Sequence, residues 1–159
     1  MAASVRSRIL IADSYKSHAG ELSTYLRELS PAIEVFSATE GRQALSETTA
    51  QDMNLFLVNG FLKGPLNGFE LCRAIRRLDA HQHTPIILML SGHLLRDHHR
   101  GLASGADLFL HTPVEKQELW RMVVLLLNES SQKRKRGAAA TDAADVEVIE
   151  LKPSIRILH

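Results

Sequence analysis

The strongest constraint on this chain is an alternation. Five short apolar runs, at residues 8–12, 34–37, 54–58, 85–90 and 107–110, are often β-branched and each is too short for a helix. Between and after them the apolar residues fall at helical spacing: Leu22, Leu26 and Leu29; Ala44 and Leu45; Phe69, Leu71, Cys72 and Ile75; Leu94, Leu95, Leu102 and Ala103; Leu119, Met122, Val123, Leu126 and Leu127. Strand then helix, five times, with strands apolar throughout, predicts a parallel sheet covered on both faces, that is, a doubly wound five-stranded α/β fold. Pro31 after the first helix, Gly41 at the start of the second, Pro85 opening the fourth strand and Gly105 closing the fourth helix agree with this. Such folds bind ligands beyond the carboxyl ends of their strands. The residues to inspect are therefore Asp13 and Ser14, Asn59 and Gly60, Ser91 and Gly92, and His111, Thr112 and Pro113.

Composition sets the domain limits. With 45% hydrophobic and 23% charged residues among 159, the chain can bury a core. Cys72 is its only cysteine, so no internal disulfide is possible and a cytoplasmic setting is expected. Neither a bilayer span nor an export signal is visible. The globular domain is placed at residues 1–128, where acidic and basic side chains balance; residues 129–159, with Lys133-Arg134-Lys135-Arg136 and an Ala-rich stretch, read as a flexible linker and tail. The alternation at Val146, Val148, Ile155 and Ile157 leaves a strand pair, a docking peptide or the edge of a further domain open.

The segments Ile9-Leu-Ile-Ala-Asp13, Asn54-Leu-Phe-Leu-Val-Asn59, Gly68-Phe-Glu-Leu-Cys-Arg-Ala-Ile75, Pro85-Ile-Ile, Gly105-Ala-Asp-Leu-Phe-Leu110 and Pro113 carry a specific likeness. Their order and spacing resemble the receiver domain of bacterial response regulators over residues 8–127. The resemblance implies a flavodoxin-like topology with strand order 2-1-3-4-5. It also implies a phosphorylation pocket: an aspartate nucleophile ending the third strand, a magnesium ion held by acidic residues after the first, a hydroxyl after the fourth and a lysine after the fifth.

Carried over residue by residue, that pocket is degenerate. Asn59 stands where the nucleophile is expected, and an amide cannot form a stable acyl phosphate. No shift of register restores it, because no Asp or Glu lies between Asp52 and Glu70. Asp13 keeps the first acidic position, but Ser14 replaces the second and Thr112 the lysine; Ser91 keeps a hydroxyl, one residue further from Pro85 than is usual in the family. The expectation is a pseudo-receiver with a neutral, hydrogen-bonding pocket that holds no metal and needs no cofactor. Deamidation at Asn59-Gly60 would regenerate an acid but not the missing metal ligand or lysine.

Phe109 matches the family's mobile aromatic and is expected to be a fixed packing or partner-contact residue. Together with Pro113 and Trp120 it marks a switch or interface surface, since in the family the fourth and fifth helices and fifth strand form the usual dimer or partner face. His93, His98 and His99, with His81 and His83 nearby, are read as a solvated face rather than a metal site. The basic run has no aromatic companion and no helix-turn-helix follows it, so nucleic acid is not the expected partner. What remains is a non-enzymatic, phosphorylation-independent interaction module whose partner is a protein of a bacterial two-component or phosphorelay pathway, or a second copy of itself. Two alternatives stay open: the regulatory part of a larger transcription factor or enzyme, and a small-ligand sensor reusing the pocket.

Overall fold

The computed structural model describes residues 6–92 and 94–138. Its elements are β1 (Ser7–Ala12), α1 (Lys16–Leu29), β2 (Ile33–Ala38), α2 (Gly41–Ala50), β3 (Leu55–Asn59), α3 (Gly68–Arg76), β4 (Ile86–Ser91), α4 (Leu95–Ser104), β5 (Leu108–Thr112) and α5 (Lys116–Ala138), with a single 3-10 turn at Asp79–His81. All strand pairs are parallel, and the sheet order is β2-β1-β3-β4-β5. The expected doubly wound, flavodoxin-like fold is present.

Two apolar layers explain why the strands read as continuous runs. Alternate residues of one strand point to opposite faces. Ile9, Ile11, Leu55, Leu57, Ile87 and Met89 face α1 and α5, meeting Leu22, Leu26, Leu119 and Val123. Leu10, Ala12, Phe56, Val58, Ile86 and Leu88 face the other way, onto Ala44 of α2 and Phe69, Cys72 and Ile75 of α3. Burial pushes the Cys72 thiol up to about 12.

Three expectations need correction. The runs at 54–58, 85–90 and 107–110 end too early, because Asn59, Ser91, His111 and Thr112 belong to the strands themselves. Their backbones continue the ladder although their side chains are polar. The boundary at residue 128 falls inside α5, which runs on to Ala138; Lys and Arg are good helix formers, so the basic run does not stop it. Trp120 is 5% exposed and packs in the α1/α5 layer, so it is core and not a surface anchor. The rest of the tail, including the alternation from Val146, lies outside the described residues, as does His93.

Candidate functional site

The topological switch point lies between β1 and β3, where the chain leaves the sheet centre in opposite directions. Ala12 is paired with Val58, so Asp13 and Asn59 come side by side one residue further on. The close packing behind them depends on Gly68 at the start of α3. A Cβ there would meet the Asn59 carbonyl oxygen at 2.0 Å and Gly60 Cα at 2.6 Å. The Gly68 amide instead donates to the Gly60 carbonyl at 3.0 Å. A capping box completes the helix start: Asn67 Oδ1 accepts from the Glu70 amide and Glu70 Oε2 from the Asn67 amide.

Asp13 is fully buried, and both of its oxygens are engaged. Oδ1 accepts from the Tyr15 amide at 2.9 Å and, at 3.5 Å, from Asn59 Nδ2. Oδ2 faces His18 Nδ1 at 2.5 Å. His18 lies on the first turn of α1 and is three-quarters buried, so an imidazole covers the side of Asp13 that looks outward. Asn59 is fixed in turn, its Oδ1 accepting from the Phe61 amide at 2.9 Å.

Ser14 turns elsewhere. Its hydroxyl donates to the Thr39 carbonyl at 2.9 Å and accepts from the Lys63 amide at 2.9 Å, so it fastens the loop after β3 to the loop after β2. Ser91 and Thr112 are register partners at the ends of β4 and β5. Ser91 is exposed, and Thr112 Oγ1 lies 3.5 Å from the Leu90 carbonyl. A cleft of about 270 Å³ opens between Tyr15, His18, Asn59 and Phe61 on one side and Ser91, Thr112 and Pro113 on the other. Of the five residues expected in the pocket, then, Asn59, Ser91 and Thr112 line the cleft, Asp13 lies beneath it, and Ser14 faces away from it.

His18 is the participant that sequence reasoning missed. Its signal, a histidine five residues after Asp13 on the first helical turn, acquires meaning only once the strand-to-helix turn is folded. The histidine-rich region also differs from expectation. His81 is buried beside Thr84, its Nδ1 2.9 Å from the hydroxyl. His98 is half-buried, stacked edge-on to Phe109 at 5.0 Å; among the described histidines of this group, His83 and His99 are on the expected solvated surface. Phe109 itself is half-buried, seated where Gly101 of α4 leaves room, since a Cβ on Gly101 would lie 2.5 Å from its ring.

Comparison with known proteins bears on the family and the fold. The family described as the response regulator receiver domain matches residues 9–124. Protein PilG of Pseudomonas aeruginosa is 27% identical over 112 residues, covering 70% of this chain and 81% of PilG. Response regulator ArlR of Staphylococcus haemolyticus is 31% identical over 94 residues, or 59% of this chain and 41% of that protein, so the chain spans less than half of the longer relative. A crystal structure of a putative response regulator from Chloroflexus aurantiacus superposes with a TM-score of 0.71 at 26% identity, covering 77% of this chain and 98% of that one. The family match over most of the chain and the shared fold agree: the chain belongs to the response regulator receiver domain family.

Proposed function

We propose that this receiver domain works without phosphoryl transfer, as a non-enzymatic interaction module for a protein partner in a bacterial signalling pathway. The observation that carries the reading is the occupation of the Asp13–Asn59 site by the chain's own groups. The residue ending β3 is an amide held by the Phe61 amide. A carboxamide nitrogen is no substitute for a carboxylate nucleophile, and no lysine stands at Thr112 to offset charge on a phosphoryl group.

Magnesium does not suit this donor set. It prefers hard oxygen ligands in near-octahedral geometry. Here there is one carboxylate, already accepting from Tyr15, Asn59 and His18, while the Ser14 oxygen is committed to Thr39 and Lys63. His18 supplies the contact that a cation would otherwise make. The partner surface in this reading is the side of α4 and β5, where Leu95 and Leu102 are exposed and Phe109 is half-buried. Among the described residues no helix is long and apolar enough to cross a membrane, and we place the module in the cytoplasm.

Intact mass spectrometry before and after incubation with acetyl phosphate and magnesium tests the proposal. An unchanged mass is expected; a stoichiometric phosphoryl increment refutes it. The cleft supports a second reading, a sensor of a small polar ligand, which a thermal-shift screen with nucleotides and metabolites separates because a ligand of the folded state raises its stability. The third, part of a larger regulator, draws on the partial span of ArlR.

A further inference from the structure

Away from the cleft, the outer side of α3 and α4 carries charge of one sign. Arg73 and Arg77 stand one turn apart at the end of α3 and its C-cap, and Arg96 and Arg100 one turn apart on α4; all four are exposed. The two helices are neighbours. The Arg100 guanidinium lies over the Phe69 ring of α3 at 4.1 Å, and Arg76 Nε donates to the Gly105 carbonyl at the end of α4 at 3.0 Å. Arg96 and Arg100 therefore edge the seam on its α4 side, and Arg73, one turn on from Phe69, edges it from α3. Among the described residues none of the four has a carboxylate within ion-pair distance. The acids nearby are already engaged or withdrawn: Glu70 is held in the capping box, Asp107 by Arg76 and Asp79 by Gln82, and Asp97 is buried on the inner side of α4.

Beside the arginines runs an apolar crest. Leu95 and Leu102, two turns apart on α4, are 69% and 57% exposed. They lie on the β5 side of the arginines, because His98 on that edge of α4 packs against Phe109. A guanidinium is weakly hydrated and presents a planar fork that matches the two oxygens of a carboxylate, so it pairs at an interface at less desolvation cost than an ammonium does. Two arginine pairs at four-residue spacing with leucines alongside complement a helix that has carboxylates at the same spacing on one edge and apolar residues next to them. A nucleic-acid strand matches this face less well. Its phosphates would satisfy the arginines but leave the leucines in water, and no exposed aromatic side chain on α3 or α4 offers a base a stacking surface.

Resting on the reading of the chain as a module for a protein partner, we infer that the seam of α3 and α4 is the docking surface for an acidic amphipathic helix of that partner. Arg73, Arg77, Arg96 and Arg100 take its carboxylates, and Leu95 and Leu102 its apolar side. The surface at α4 and β5 is thereby carried round to α3, and the partner is given a charge.

The full chain is titrated into a fluorescein-labelled designed peptide of about 18 residues, with Glu at four-residue spacing along one edge and Leu beside it, and binding is followed by anisotropy. Saturable binding that weakens as salt is raised is expected. The same peptide with Gln for Glu should bind about tenfold more weakly. Arg73→Glu and Arg100→Glu should each weaken binding about fivefold or more, whereas reversal of the exposed Arg121 or Lys133 of α5, as Arg121→Glu or Lys133→Glu, should leave it unchanged. In the unsubstituted chain the amide resonances of α3 and α4 should shift before those of α5, a readout independent of how the variants fold. No saturable binding, equal binding of the Gln peptide, loss confined to Lys133→Glu, or tighter binding of a single-stranded oligothymidylate that competes for the same arginines overturns the assignment. Binding that requires prior incubation with acetyl phosphate and magnesium upholds the surface and refutes phosphorylation independence, so the two readings fail separately.

Discussion

The two ends of the sheet each hold a charge, partly buried at the amino end and fully buried at the carboxyl end, and they satisfy it with different materials. At the amino end of β4 and β5, the Arg76 guanidinium donates to the carbonyls of Gly105, His81 and Thr84 and to the Asp107 carboxylate. That carboxylate also accepts from the Ile86 amide at 2.8 Å. At the carboxyl end, Asp13 relies on one backbone amide and two side chains, Asn59 and His18. A charge withdrawn from water, wholly or in part, needs partners. Backbone partners come with the fold, whereas side-chain partners can be exchanged by single substitutions. The amino end is therefore built as a brace, and the carboxyl end is where one fold can be given different chemistry.

Substitutions at each end test that contrast. Arg76→Met should have the largest effect, about 3–4 kcal/mol of stability by chemical denaturation, because it takes the shared donor from three carbonyls, while the half-exposed Asp107 carboxylate keeps the Ile86 amide and water. A loss below about 1 kcal/mol would mean that water replaces the brace and the contrast is false. Gly68→Ala should cost about 2–3 kcal/mol, since the new methyl collides with the Asn59 carbonyl, and it should shift the Asn59 and Phe61 amide resonances. His18→Ala is expected to cost less, about 1–2 kcal/mol, by uncovering one oxygen of a buried carboxylate. If it proves neutral, the imidazole is an onlooker at the site.

The last effect is absent at neutral pH and is confined to alkaline solution. The Cys72 thiol is pushed up to about 12, chiefly by burial. A raised value means that the folded state keeps the proton while the unfolded chain gives it up. The contribution is thus intact below about pH 9 and declines by up to about 1.4 kcal/mol per pH unit from there towards 12. A plot of stability against pH for Cys72→Ala should lack this decline, and a thiol reagent should not label the native protein at neutral pH.

Much of this architecture was legible in the sequence because apolar runs buried on both faces leave few foldings open. The strand ends were less legible for a physical reason. Asn59, Ser91, His111 and Thr112 are strand residues by hydrogen bonding and polar by function, so a hydrophobicity reading stops short of them. Composition likewise misread the basic run, which favours helix as much as solvent. The likeness to receivers located Asp13 and Asn59, but it carried no information about His18, which matches none of the residues that the family's pocket requires. His98 and His111, hydrogen-bonded through their Nε2 atoms, came together only when β5 was laid beside β4 and α4 crossed it. Clustering along the sequence had grouped His98 with His99, a neighbour that faces solvent instead.

The central claim is that the chain's own side chains already fill the site at Asp13. A magnesium titration followed by the amide resonances of Asp13, Tyr15 and Asn59 and the imidazole resonances of His18 addresses it most directly. The account predicts that none of these moves with saturation. Saturable shifts at Asp13 and Asn59, accompanied by release of the His18 ring, would contradict it and restore a metal-dependent receiver.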